Sequence, residues 1–84
     1  MKALIYVTLK PSVLDPQGKA VLGGLHALGY GETEDVRVGK YIELTLGRID
    51  RREAETRVRE MCEKLLANTV IEQYRFEILD EASR

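Results

Sequence analysis

Eighty-four residues contain one cysteine, one histidine, two prolines, one phenylalanine and no tryptophan. A single thiol excludes an internal disulfide and any zinc site built from cysteines. One imidazole and two serines leave little material for a nucleophile–base pair. No uninterrupted apolar run approaches the ~18 residues that a membrane-spanning helix needs. Lys and Arg total 13 against 14 Asp and Glu, so the net charge is -1. That balance lacks the basic excess of a nucleic-acid-binding domain. No repeat, low-complexity tract or linker divides the chain. A secretory leader, with its charged, apolar and small-residue zones, is not evident at the N-terminus, and a cytoplasmic location is expected.

What is present is an ordinary globular mixture, 44% hydrophobic and 32% charged. At 9.5 kDa it makes one domain, residues 1–84, with 80–84 expected to fray. Ala3 to Lys10 reads as a strand, apolar on both faces and therefore central in its sheet. Asp15-Pro16-Gln17-Gly18 reads as a helix start, with Asp15 as cap and Pro16 at the first helical position. Val21, Leu25 and Leu28, with Leu22 beside them, form the expected buried stripe of that helix. Gly29 ends it in a left-handed cap. Asp35 to Leu46 reads as a hairpin turning at Gly39-Lys40. Asp50 caps a second helix, with Glu53 three positions on. Its expected stripe is Ala54, Val58, Met61 and Leu65, with Cys62 and Leu66 alongside. Asn68 closes it in a left-handed conformation. A last strand runs from about Glu72 to Leu79.

The order β-α-β-β-α-β is the α+β, ferredoxin-like plan. It predicts a four-stranded antiparallel sheet with two helices on one face. The other face would carry Leu4, Tyr6, Thr8, Tyr41, Glu43, Thr45, Gln73 and Arg75. That face is too apolar to stand idle, so a second copy or another subunit is expected to cover part of it.

No group stands out as a reactive centre. His26 lies beside the helical stripe with no carboxylate near in sequence, and reads as a surface residue. Cys62 reads as a buried structural thiol. Gly23-Gly24 and Gly29-Tyr30-Gly31 match no phosphate cradle. Arg48, Arg51 and Arg52 read as a solvated turn. An RNA-binding module would need an aromatic pattern that Lys40-Tyr41-Ile42-Glu43-Leu44 does not show. A stand-alone RNA-binding or small-molecule regulatory module is the alternative reading, and an acylphosphatase lacks its Arg between Lys10 and Gly18. No catalytic, metal or cofactor-binding residue is expected.

Three stretches carry a resemblance: Val7 to Gly18, ending in Val13-Leu14-Asp15-Pro16-Gln17-Gly18; Val36-Arg37-Val38-Gly39-Lys40-Tyr41-Ile42-Glu43-Leu44; and Cys62 to Tyr74, with Leu65-Leu66-Ala67-Asn68-Thr69-Val70-Ile71-Glu72. Together they resemble PurS, the small subunit of multi-chain phosphoribosylformylglycinamidine (FGAM) synthase, from Val7 to about Phe76. Thr69 departs from the proline that the family usually has there. The resemblance implies a non-catalytic assembly subunit of a ligase in de novo purine biosynthesis. It would bridge the glutaminase PurQ and the ATP-dependent synthetase PurL and assist ammonia transfer between them. ATP and glutamine would be used by those partners, with no cofactor on this chain. It further implies a homodimer or homotetramer. Carried over where the motifs match, the candidate partner-binding residues are Gln17, Gly18, Arg37, Gly39, Lys40 and Asn68.

Overall fold

The structure is a computed structural model and describes residues 1–80. The element order is β1 (Lys2–Leu9), α1 (Pro16–Ala27), β2 (Gly39–Thr45), α2 (Arg51–Met61) continued by one π-helical turn (Cys62–Leu66), and β3 (Glu72–Leu79). The strands form one antiparallel sheet in the order β2-β1-β3. The apolar first strand is central, as its two-sided pattern requires. Ala3, Ile5 and Val7 point to one side, opposite Leu44 and Ile42 of β2 and Ile78, Phe76 and Tyr74 of β3. They meet Ala54, Val58 and Cys62 of the second helix in a core closed by Ala67 and Ile78. Ile5, Val7 and Val58 are fully buried, each contributing about 1.5–3 kcal/mol of apolar burial.

Three expectations about the sheet and what packs on it are corrected first. First, the described residues hold three strands, not four. The stretch 35–38 joins no ladder, because its polar groups are held by the loop before α1: the Val38 N–H donates to Asp15 Oδ2 at 2.7 Å, and Arg37 donates to the Lys10 and Val13 carbonyls at 2.9 Å each. Second, Gly39-Lys40 is no turn. Both residues open β2, opposite Thr8 and Val7.

Third, the two helices do not share the sheet. α2 packs on it, and no α1 residue belongs to the described core or the apolar side chains packed against it. Asp15 caps α1 as expected, accepting from the Gly18 N–H at 2.9 Å, and Gly29 takes a φ of 100° just past its end. But Val21 and Leu28 are exposed. The long axis of the molecule is 49 Å. A strand of β1's length (about 27 Å) and a helix of α1's length (about 18 Å) laid end to end account for it.

The second helix also departs from its expected stripe. Asp50 caps it through the Glu53 N–H at 2.9 Å, and Ala54, Val58 and Cys62 are buried at i, i+4, i+8. The chain then widens: the Ala67 N–H bonds to the Cys62 carbonyl, five residues back, at 3.0 Å. That turn rotates the face and leaves Leu65 82% exposed; Met61, just before it, is exposed as well. Asn68 is not left-handed, since no non-glycine residue among those described has positive φ. It ends the turn by hydrogen bonds instead, accepting from the Val70 N–H through its side chain and from the Ile71 and Glu72 N–H groups through its carbonyl. Of the tail expected to fray, 81–84 lie outside the described residues.

Candidate functional site

The three sequence motifs come from distant parts of the chain and meet at one end of the sheet. β1 leaves the sheet there, and β2 and β3 enter it. Lys10, the first residue after β1, donates its N–H to the Ile71 carbonyl at 2.8 Å. Its own carbonyl accepts from Arg37. One residue therefore ties the first, second and third motifs together.

Asp15 is the hub of this end. It is only 3% exposed, and its two carboxylate oxygens take the Gly18 and Val38 N–H groups. The Val38 and Gly18 hydrogen bonds hold its pKa below the ordinary 3.8, with the nearby Arg37 charge helping against the opposing effect of burial. Gly18 is buried, and a Cβ there would collide with the Val36 carbonyl oxygen. Gly39 is required in the same way, since its Cβ would collide with the Val7 carbonyl oxygen. Across the sheet end, Glu72 accepts the Asn68 N–H at 2.6 Å and pairs with Lys40 at 3.7 Å.

Of the six candidate residues, Gly18 is buried, whereas Arg37, Gly39 and Asn68 are exposed and also brace the local backbone. Gln17 is exposed on the first turn of α1, and the Lys40 side chain is 56% exposed. Both line a groove of about 310 Å3, together with Thr8, Val38 and Glu72. Two contributors were not singled out from sequence. Asp15 reads locally as a cap, and nothing in the sequence signals its second bond to Val38, 23 residues away. Glu72 sits four residues after Asn68, but only the fold brings Lys40 to it.

The open sheet face holds the residues expected there. Tyr6 and Tyr41 sit 5.4 Å apart, and the Arg75 guanidinium lies 4.0 Å above the Tyr6 ring. Acids are interleaved: Lys2 pairs with Glu43, Arg75 with Glu77, and the Tyr6 hydroxyl donates to Glu77. Elsewhere, the groups with the most intrinsic reactivity are already engaged. His26 Nε2 lies 2.7 Å from the Thr33 carbonyl oxygen. Cys62 is fully buried, and burial first, then Glu63, pushes its thiol pKa up. Tyr74 donates to Glu63 at 2.7 Å, which raises its phenol to about 12. No three His, Cys, Asp or Glu side chains among the described residues are grouped to hold a metal, and no described helix is long and apolar enough to cross a membrane.

The family model described as PurS, phosphoribosylformylglycinamidine (FGAM) synthase, matches residues 2–80. The chain belongs to the PurS family. The PurS subunit of phosphoribosylformylglycinamidine synthase from Bacillus subtilis strain 168 is 60% identical over 77 residues, covering 92% of this chain and 90% of that one. A solved structure of B. subtilis PurS superposes with a TM-score of 0.83 at 58% identity, over 94% of this chain and 98% of that one. A chain in the structure of PurLQS from Thermotoga maritima gives 0.84 at 31% identity, over 93% and 95%. The motif end of the sheet lies inside the residues that the family model matches.

Proposed function

We propose that this chain is the small subunit of phosphoribosylformylglycinamidine synthase in purine biosynthesis and serves the complex through surfaces rather than reactive groups. In this reading PurQ releases ammonia from glutamine. PurL uses ATP to activate the amide oxygen of formylglycinamide ribonucleotide, and ammonia displaces the phosphate. The present chain bridges the two, binds neither ATP nor glutamine itself, and helps keep the path between them sheltered. Shelter matters because ammonia in bulk water becomes ammonium and loses its nucleophilic lone pair.

The observation that carries this reading is the fate of the motif residues. Asp15, Gly18, Arg37, Gly39 and Asn68 are spent on backbone struts that shape one end of the sheet. Such a constellation builds a rigid surface, not a proton-transfer or nucleophilic pair. Gln17 and Lys40 remain displayed on it, beside Glu72. They are the residues we assign to partner contact, both exposed, with Lys40 also paired to Glu72.

Reconstitution tests the reading. Adding this chain to PurL and PurQ should restore glutamine-dependent amidine synthesis, and no restoration would overturn it. Gln17→Ala should keep the circular dichroism of the parent while weakening retention of PurL on a sizing column. Arg37→Ala should behave differently: it should lower the melting temperature as well, because its guanidinium braces the Lys10 and Val13 carbonyls.

A further inference from the structure

The register of the sheet sets two neighbouring rows of different height on the face turned away from α2. Tyr41, Tyr6 and Arg75 lie opposite one another across β2, β1 and β3, and Gly39, Thr8 and Gln73 form the next row. The first row is tall and braced. Its two rings sit 5.4 Å apart, the Arg75 guanidinium lies 4.0 Å from the centre of the Tyr6 ring, and the Tyr6 hydroxyl donates to Glu77. The second row is low. Gly39 has no side chain, and a Cβ there would collide with the Val7 carbonyl oxygen, so the floor stays bare. Thr8 beside it is short. The step between the rows is a cavity of about 460 Å3, within the range of small-molecule sites.

This step offers one aromatic wall and one amide. Tyr41 is 53% exposed, so the chain's own packing does not use up the wall. Exposed tyrosine rings take up planar heterocycles, which stack on them or meet them edge to face. Gln73 stands at the other end of the low row. Its Nε2 donates to Thr8 Oγ1 at 3.4 Å, a long bond on an exposed surface that a ligand can replace. A carboxamide carries a donor and an acceptor side by side, the pair that matches the amino group and ring nitrogen of adenine.

The charges on this face limit what the ligand carries. Glu43 and Glu77 are interleaved with Lys2 and Arg75 and pair with them at 3.5 and 3.8 Å. Cations already paired with acids give no continuous track for a phosphate backbone. The same acids repel a triphosphate. The face therefore suits one base with little charge attached, rather than a nucleic-acid strand or ATP.

We infer that this step binds a single adenine base, carried by a nucleoside or a nucleoside monophosphate, with Tyr41 and Tyr6 against the ring and the Gln73 amide on its edge. The site does not rest on the subunit reading above, and its failure leaves that reading standing. Nuclear magnetic resonance titration of the nitrogen-labelled full chain tests it, with AMP, GMP, ATP and ribose phosphate as probes. Millimolar AMP should shift the backbone amide signals of Thr8, Gly39, Tyr41 and Gln73. GMP and ATP should bind more weakly, and ribose phosphate should leave those signals in place. Tyr41→Leu keeps an apolar side chain at the sheet edge and should weaken AMP binding about fivefold or more. Gln73 is exposed, so Gln73→Leu gives a second reading with little risk to the fold, and should remove the preference for AMP over GMP. No shift with millimolar AMP would overturn the inference. So would an equal response to ribose phosphate, equal binding of GMP by the parent, or unchanged AMP affinity in both variants. An oligonucleotide that binds far more tightly than AMP and is released by salt would replace the single-base site with a strand platform.

Discussion

Asp15 shows how one side chain can do two jobs at different ranges. Its short reach suits the cap of α1, and the same carboxylate spans to Val38. Because its folded pKa is lowered below 3.8, its contribution is full above the unfolded value and is lost as pH falls through the folded one. Thermal melts of the parent and Asp15→Asn should therefore differ most above about pH 4–5 and converge in stronger acid. Gly18 and Gly39 are set by space rather than by backbone conformation. Gly18→Ala must displace the Val36 carbonyl and should cost about 1–3 kcal/mol by urea unfolding. Gly24→Ala, with open space around its Cβ, should leave the isolated chain as stable or raise it by up to about 1 kcal/mol.

The second helix illustrates what one extra residue in a turn does to an element. A regular helix would keep Met61 and Leu65 on the stripe with Ala54 and Val58. The π turn at Cys62–Leu66 breaks that phase: Ala67 comes inward and Leu65 goes out. Arg59 lies over the Phe76 ring at 5.5 Å, so the helix's outer edge is tied to β3 by a charge on an aromatic face. Denaturant unfolding should separate the two faces. Val58→Ala should cost about 2 kcal/mol or more through the cavity it leaves. Leu65→Gln should stay within about 0.5 kcal/mol in the isolated chain, since that side chain faces water. The expected heptad-like stripe would have made Leu65 the costlier change.

At the scale of the whole molecule, stability and assembly are one question. Among the described residues the core holds eight buried hydrophobic side chains, three of them alanine and one cysteine. A core that small supplies only a few kcal/mol. Covering the exposed apolar side of α1 by another chain links folding to association by mass action. The same economy suits the proposed role, because a subunit that works by bridging needs extended surface more than a closed globule.

Local patterns determined most of the elements. Alternation placed β1 and β3, the Asp15-Pro16 and Asp50 caps placed both helix starts, and Gly29 marked an end. Those features depend on neighbours within one turn or one strand, so a linear reading reaches them. The motif-bearing residues Gly18, Arg37, Gly39, Lys40 and Asn68 were legible as a set, but their work was not. Whether Val36 to Val38 pair as a strand, whether the apolar side of α1 meets its own sheet, and whether Leu65 lies inside were decided by competition between distant groups. Asp15 took the Val38 N–H that a ladder would have used, and Gly18 packs the base of α1 closely against the Val36 carbonyl. Such contests are settled in three dimensions, because hydrogen-bond partners and free volume are shared among segments that the chain order keeps apart.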